Sequence, residues 1–205
     1  MRIFAALVPP EEVVEDLDEF LAPRRESTGS PGLRWAVPEQ FHITLAFAGD
    51  ARASDVEEAQ EAIAAACRRR PPLDLRLAGA GAFPGPGHAR ALWVGVGDHD
   101  AQPFSPPETP AALSSLAEAV RTATRGAGIA AEGGAFRAHL TVARLGRPID
   151  ATKWLRVLET YRSVPWRADE VTLFASYLGQ GRGGKPRHEE LAVFSLHGAQ
   201  GEHGQ

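Results

Sequence analysis

The sequence predicts an α+β protein of two lobes, each built on a mostly antiparallel sheet with outer helices, and a cleft between the lobes. Strand-like and helix-like segments follow one another without regular alternation, which favours antiparallel sheet. One short motif occurs twice, as His42-Ile43-Thr44-Leu45 and as His139-Leu140-Thr141-Val142, each time inside an apolar run. The repetition predicts an approximate internal two-fold symmetry, with both motifs at the cleft.

The first half of the chain alternates between apolar strand patterns and two helical patterns. The opening apolar run is stopped at once by Pro9-Pro10 and predicts a strand, and helical spacing follows until Pro23. Ser54 and Glu57 form a capping-box pattern that opens a second helix, and the glycine- and proline-rich segment 79–87 predicts a loop. In order, we expect a strand at 1–8, a helix at 11–21, strands at 33–37 and 41–48, a helix at 54–67, and strands at 73–77 and 91–96.

The second half begins with a polar, proline-rich connection at 98–110, the best candidate for a loop between large units. Leu113, Leu116 and Val120 then lie at helical spacing, and glycines follow. The second motif lies in the next apolar run, and a basic, glycine-rich loop joins the last two strands. We therefore expect a helix at 110–125, a strand at 136–145, a helix at 150–161, strands at 166–178 and 189–196, and a frayed tail after about 197, with 1–205 forming a single domain.

The first motif lies in a strand whose two faces differ. Strict alternation places large apolar side chains on the core face, and the histidine, the threonine and two alanines on the other. The alanines leave room above the histidine for a ligand. Two imidazoles that face each other across a cleft can act as general acid and general base near neutral pH. The core face would carry Phe41, Ile43, Leu45 and Phe47, and the cleft face His42, Thr44, Ala46 and Ala48.

Composition argues against several classes of function. The 205 residues are 43% hydrophobic and 23% charged with a formal net charge of −4, whereas proteins coated in nucleic acid usually carry a basic excess. No apolar run approaches the length of a membrane span. The single cysteine, Cys67, excludes an internal disulfide, and neither it nor the other five histidines, His188 among them, show metal-ligand spacing. We therefore expect a cytoplasmic protein with no membrane contact, no metal and no cofactor.

Both tetrads resemble the signature of the two-histidine (2H) phosphoesterase superfamily, a pair of His-x-Thr/Ser-apolar motifs, and the chain looks most like the RNA 2′,3′-cyclic phosphodiesterases historically named 2′-5′ RNA ligases. Ala138 departs from the family, which often has proline before the second histidine, and the connection 98–110 is longer than typical. Neither departure removes a reacting group. The segments that carry the resemblance are 1–13, 33–49, 81–96 and 136–144.

The resemblance implies hydrolysis of a 2′,3′-cyclic phosphate at an RNA 3′ end to a 2′-phosphomonoester. In this assignment His139 accepts a proton from water and His42 donates one to the leaving O3′. Thr44 and Thr141 would donate hydrogen bonds to non-bridging oxygens of the phosphate. Arg144 would add positive charge, although strict alternation places it opposite to His139, so this role requires a β-bulge or a strand end nearby.

The partners that the resemblance implies are RNA 3′ ends or oligonucleotides with a cyclic phosphate, bound by a monomer, because one chain carries both motifs. Phe41 is a candidate for lining the nucleobase pocket, and the loop with Arg182, Lys185 and Arg187 either contacts the RNA backbone or is a solvated hairpin connection. Two other hypotheses stay open. One is a 2H phosphoesterase that acts on a small cyclic nucleotide or performs 2′-5′ RNA ligation by reversal; the other is a protein that binds RNA ends without turnover.

Overall fold

The computed structural model describes residues 1–26, 32–102, 109–181, 184 and 186–198, so the predicted frayed tail from residue 199 on lies outside the described residues. Within them the order of elements begins with β1 (Arg2–Leu7), α1 (Glu11–Glu26), β2 (Leu33–Trp35), β3 (Ile43–Ala48), α2 (Ala53–Arg68), β4 (Leu73–Phe83) and β5 (Ala89–Asp98). It continues with α3 (Ala111–Gly126), β6 (His139–Ile149), α4 (Thr152–Leu158), β7 (Trp166–Ala168), β8 (Glu170–Tyr177) and β9 (Arg187–Ser195).

The strands form two antiparallel sheets, which confirms the predicted fold class. One sheet has the order β3-β1-β8-β9 and the other the order β2-β6-β5-β4-β7. Each sheet takes strands from both halves of the chain, so the two lobes are interleaved in sequence rather than consecutive. The motif strands β3 and β6 belong to different sheets and still contact each other. The junction of the two sheets therefore brings the two motifs together.

The helices cover the sheets. α2 and α3 pack on each other and against β9 and β3 of the first sheet, while α4 packs against β4 and β5 of the second. The apolar face predicted for α3 is confirmed, because Leu113, Leu116 and Val120 are all buried in the core. None of the helices in the described part of the chain combines the length and the apolarity that crossing a bilayer requires.

The first helix is longer than its sequence predicts. α1 does not end at Pro23 but continues to Glu26 with the proline inside it. A proline within a helix removes one backbone N–H donor and so leaves a carbonyl of the preceding turn without its partner. The guanidinium of Arg24 donates a hydrogen bond to the Phe20 carbonyl in this turn. The carbonyl that Pro23 leaves without its backbone donor is that of Glu19, four residues earlier, so the bond from Arg24 reinforces this turn without replacing the missing one.

The predicted capping box of the second helix is wrong. α2 begins at Ala53 with Arg52 as its N-cap residue, and no side chain caps it. Ser54 therefore lies inside the first turn, where its hydroxyl donates to the Asp55 carboxylate. The pattern of serine and glutamate fails here because the helix starts two residues earlier than the pattern requires.

The segment 79–87 is only partly a loop, because β4 continues to Phe83. Gly79 has a φ of +75° and lies where the register of β4 against β5 shifts, between Leu77 and Ala80. A residue with no Cβ adopts this left-handed conformation without strain. Gly81 lies directly opposite Trp93 on β5. These glycines thus belong to β4, an interior strand of the second sheet.

Candidate active site

The two motif histidines are held in the same way. Nδ1 of His42 lies 2.8 Å from the carbonyl oxygen of Gln40, and Nδ1 of His139 lies 2.8 Å from the carbonyl oxygen of Arg137. A carbonyl oxygen can only accept, so Nδ1 is the donor in both rings. This fixes the tautomer and leaves Nε2 of each imidazole to exchange a proton with a ligand.

The ring of His42 lies within an aromatic cluster. It is tilted over Phe4 with ring centroids 4.7 Å apart and edge-on to His188 at 5.7 Å. Burial first, and then the positive charge of His188, lower the pKa of His42 to about 4, while the hydrogen bond to Gln40 opposes the change. The positive charge of Arg144 adds to the lowering. His42 is therefore neutral at pH 7 in the free protein.

The ring of His139 has a comparable setting in the other sheet. It lies edge-on to Phe83, with centroids 4.9 Å apart, and 5.8 Å from Trp93. Burial lowers the pKa of His139, the nearby charges of Arg144 and Arg137 lower it further, and the hydrogen bond to the Arg137 carbonyl opposes both. A neutral imidazole with an unprotonated Nε2 is the form that a general base needs.

A β-bulge follows each motif threonine. In β3 the pairing with β1 passes from Thr44 to Ala46 and leaves Leu45 as the extra residue. In β6 the pairing with β5 passes from Thr141 to Ala143 and leaves Val142 extra. Ahead of the bulge the alternation holds, so each threonine shares a face with the histidine two residues before it.

The bulge at Val142 resolves the difficulty with Arg144. With one extra residue in β6, Arg144 lies opposite Ala91, which shares a face of β5 with Trp93 because the two are two residues apart. Trp93 contacts the ring of His139, so Arg144 leaves the sheet on the histidine's side. The positive charge of Arg144 also lowers the pKa of both motif histidines, as expected for an arginine on this side of the sheet.

The corresponding bulge in β3 overturns part of the predicted alternation. Beyond it Phe47 lies opposite Phe4, the residue that packs on the first motif histidine, and Phe47 is only partly buried. Ala46 and Ala48, predicted on the cleft face, are buried in the core instead. The fifth position after the histidine is thus Phe47 in one lobe and Arg144 in the other.

Phe41 does not line the cleft. Its side chain is only 2% exposed and belongs to the hydrophobic core. The predicted contact with a nucleobase has no accessible surface to use. Two of the three basic residues of the predicted loop, Arg182 and Lys185, lie outside the described residues. Arg187 forms an ion pair with Glu189 at 2.9 Å.

His188 is the residue that sequence reasoning missed. It follows the basic loop on β9, and its ring contacts both Phe4 and His42. A third bulge, with Leu191 as the extra residue between the positions paired with Leu173 and Phe174, explains why. Counting back by two from buried Phe194 would place His188 on the core face, so the alternation alone points away from the cleft. Within the described ranges, no group of three or more His, Cys, Asp or Glu side chains is placed to hold a metal ion.

Comparison with known proteins identifies a matching family and several relatives of this chain. It matches the family model of the 2′-5′ RNA ligase superfamily over residues 9–180. An RNA 2′,3′-cyclic phosphodiesterase of Geobacillus stearothermophilus is 31% identical over 178 residues, which cover 84% of this chain and 51% of the relative. An RNA 2′,3′-cyclic phosphodiesterase of Archaeoglobus fulgidus is 29% identical over 147 residues, 72% of this chain and 74% of the relative. The chain thus spans about half the length of the first relative.

Solved structures share the fold over almost the whole chain. The protein TT0787 of Thermus thermophilus superposes with a TM-score of 0.73 at 22% identity, covering 97% of this chain and 100% of that one. E. coli LigT complexed with 3′-AMP gives a TM-score of 0.68 at 22% identity, covering 95% and 97%.

The two antiparallel sheets and the paired His-x-Thr motifs are the features expected of the two-histidine phosphoesterase class. Since the family model covers most of the chain, the protein belongs to the 2′-5′ RNA ligase superfamily. The predicted family is confirmed, and the names of the relatives agree with the predicted class of enzyme, a phosphodiesterase.

Proposed function

We propose that the protein hydrolyses 2′,3′-cyclic phosphates at RNA 3′ ends to 2′-phosphomonoesters, without a metal ion, as a monomer. The observation that carries the proposal is the matched pair of imidazoles. Both donate through Nδ1 to a carbonyl two residues earlier, and both keep Nε2 for proton exchange. The relatives named RNA 2′,3′-cyclic phosphodiesterase support the choice of substrate. A cytoplasmic location stays a prediction.

The proton transfers follow from the chemistry of the two rings. Nε2 of His139 takes a proton from water, and the water oxygen attacks phosphorus. The bond from phosphorus to O3′ breaks, and Nε2–H of His42 gives its proton to O3′. The products are a 2′-phosphomonoester and a free 3′-hydroxyl. One water is consumed, and exchange with solvent returns both rings to their starting states.

His42 is neutral in the free protein, so the donor must gain its proton when substrate binds. A bound phosphate brings a negative charge to the ring, and an opposite charge within a few ångströms favours the protonated imidazole. The same charge offsets the repulsion from Arg144. The hydroxyls of Thr44 and Thr141 donate to the non-bridging oxygens, and Arg144 stabilises the charge that accumulates there.

Turnover of a short RNA that ends in a 2′,3′-cyclic phosphate, assayed in EDTA, tests the proposal. We expect conversion to the 2′-phosphate, with a loss of about 10²–10⁴-fold in kcat for His42→Ala and for His139→Ala. His197→Ala is the matched control, because this histidine is exposed and lies beyond the far end of β9. Circular dichroism verifies that each variant folds.

Three results would count against the proposal. Activity that disappears in EDTA and returns with a divalent cation would show that a metal takes part. Binding of the RNA without turnover would indicate a protein that captures RNA ends. Turnover of cyclic mononucleotides alone would indicate a small-molecule phosphoesterase.

A further inference from the structure

Two arginines on neighbouring strands face the same side of the second sheet. Arg34 on β2 and Arg144 on β6 are direct partners in the antiparallel register. Side chains of directly opposed residues leave the sheet on the same face, with Cβ atoms about 4.5–5.5 Å apart. Both side chains are exposed. Leu33 and Trp35, on either side of Arg34, pack against the core, so Arg34 points away from it.

This pair carries positive charge without compensation. Like charges directly opposite each other destabilise an antiparallel pair. The arginines that form ion pairs among the described residues are Arg25, Arg125, Arg167 and Arg187, so neither Arg34 nor Arg144 has a carboxylate partner there. An arrangement that costs stability and lies beside the paired histidines is one that an anion would stabilise, because guanidinium groups bind phosphate oxygens strongly.

The two arginines differ in their distance from the histidines. The charge of Arg144 lowers the pKa of both motif histidines, so it belongs with the reacting phosphate. Arg34 lies one strand further out, a lateral step of about 4.8 Å, on β2 at the edge of the sheet. On the side of β5 and β4, away from β2, the rings of Trp93 and Phe83 lie against the His139 ring. A polynucleotide therefore has its open exit over β2.

We propose that Arg34 binds the phosphate on the 5′ side of the terminal nucleoside, so that the site selects oligonucleotides over cyclic mononucleotides. The proposal rests on the proposed function, since a 3′-terminal cyclic phosphate leaves only the 5′ side for the chain to continue. In this arrangement Arg144 contacts the reacting phosphate and Arg34 the next one.

Two substrates with the same terminal base test the assignment: a nucleoside 2′,3′-cyclic phosphate and the corresponding dinucleotide. We expect Arg34→Gln to lower the ratio of kcat/KM for the dinucleotide to that for the mononucleotide about tenfold, as for one charged hydrogen bond. The salt dependence of the dinucleotide's binding should become shallower by about 0.7 in log–log slope, the value for one phosphate contact on a single strand. Arg167→Gln, on β7 at the opposite edge of the same sheet, should keep both rates.

A dinucleotide with an uncharged methylphosphonate in place of the linking phosphate completes a double-mutant cycle with Arg34→Gln. It should lower kcat/KM of the wild type as much as Arg34→Gln does, and cause no further loss in Arg34→Gln. Equal losses on mononucleotide and dinucleotide would overturn the proposal by placing Arg34 on the reacting phosphate, and so would no loss on either. If the wild type turns over neither substrate, the proposed function fails. The role of Arg34 is then tested by calorimetric binding of the 2′-phosphorylated mononucleotide and dinucleotide to the wild type and to Arg34→Gln.

Discussion

Gly81 supports the active site because its lack of a side chain leaves room for the ring of Trp93. A Cβ built there would lie 2.1 Å from Cζ2 and 2.2 Å from Cη2 of Trp93, whereas carbon atoms in contact are normally about 3.5–4.0 Å apart. The Trp93 side chain is 1% exposed, and the rings of Phe83 and His139 lie against it. In Gly81→Ala the indole must therefore move by more than about 1 Å in a packed interior, and it pushes on His139 as it moves.

The size of the effect follows from these contacts. Overpacking a core by a methyl group costs about 1–3 kcal/mol, and in a protein of this size each 1 kcal/mol lowers Tm by about 2–4 °C. We therefore expect Gly81→Ala to lower Tm by about 2–12 °C. Since a displacement of about 1 Å in a catalytic group can cost 10²-fold in rate, kcat should fall by one to two orders of magnitude.

Thermal unfolding and turnover are measured on Gly81→Ala beside Gly146→Ala, a strand glycine whose Cβ would meet nothing within 4 Å. Gly81→Ala should destabilise the Trp93→Leu variant less than it destabilises the wild type, because the shorter side chain leaves room for the new methyl group. If Gly81→Ala and Gly146→Ala unfold at the same temperature with the same kcat, then the close approach of Gly81 to Trp93 does not support His139, and the reasoning is refuted.

Two further predictions concern protons. The pKa of His42 falls from 6.5 to about 4 on folding, so the unfolded state binds more protons between these values and stability decreases as the pH drops from about 6.5 to about 4, by up to about 3 kcal/mol. Urea unfolding at both pH values should show this loss, and an equal loss in His42→Gln would contradict it. His188→Phe keeps a ring beside Phe4 but removes a positive charge, so NMR titration should show a higher pKa for His42, still below 6.5 because burial remains. An unchanged or lower value would show that His188 does not act through its charge.

Short-range patterns in the sequence were enough to predict two antiparallel sheets, the four α-helices of the described part of the chain and the paired motifs. The single strand predicted at 166–178 is wrong, because it divides into β7 and β8, which belong to different sheets. Apolar spacing depends on the period of each element, and the motif histidines and threonines lie ahead of the bulges, where alternation still applies. Arg144 could be placed only conditionally, because its side depends on whether a bulge follows Thr141. No residue type marks such a bulge in β6, where Val142 looks like any strand residue.

The failures have two physical origins, β-bulges and contacts between residues far apart in the sequence. Phe47 and His188 both lie beyond a bulge, so the period of two gives the wrong face for each. The segment 79–83 looks like a loop because glycines are rare in strands, yet Gly81 is required there by a ring from the neighbouring strand. A pattern within a short stretch of sequence does not reveal such long-range contacts. The predicted contact of Phe41 with substrate followed the resemblance against the alternation, and burial bears out the alternation.

The bulge at Val142 also limits how β6 can change in length. Deleting this residue would restore a regular ladder with an even spacing from His139 to Arg144, so His139, Thr141 and Arg144 would still share a face. A second extra residue between Thr141 and Arg144 would instead turn Arg144 into the core without a partner, or turn His139 and Thr141 out of the cleft. By contrast, Gly146 and Pro148 near the exposed end of β6 lie beyond every cleft residue, and an insertion there shifts none of them. Viable insertions in this strand are therefore confined to the side of Arg144 that is distant from the histidine.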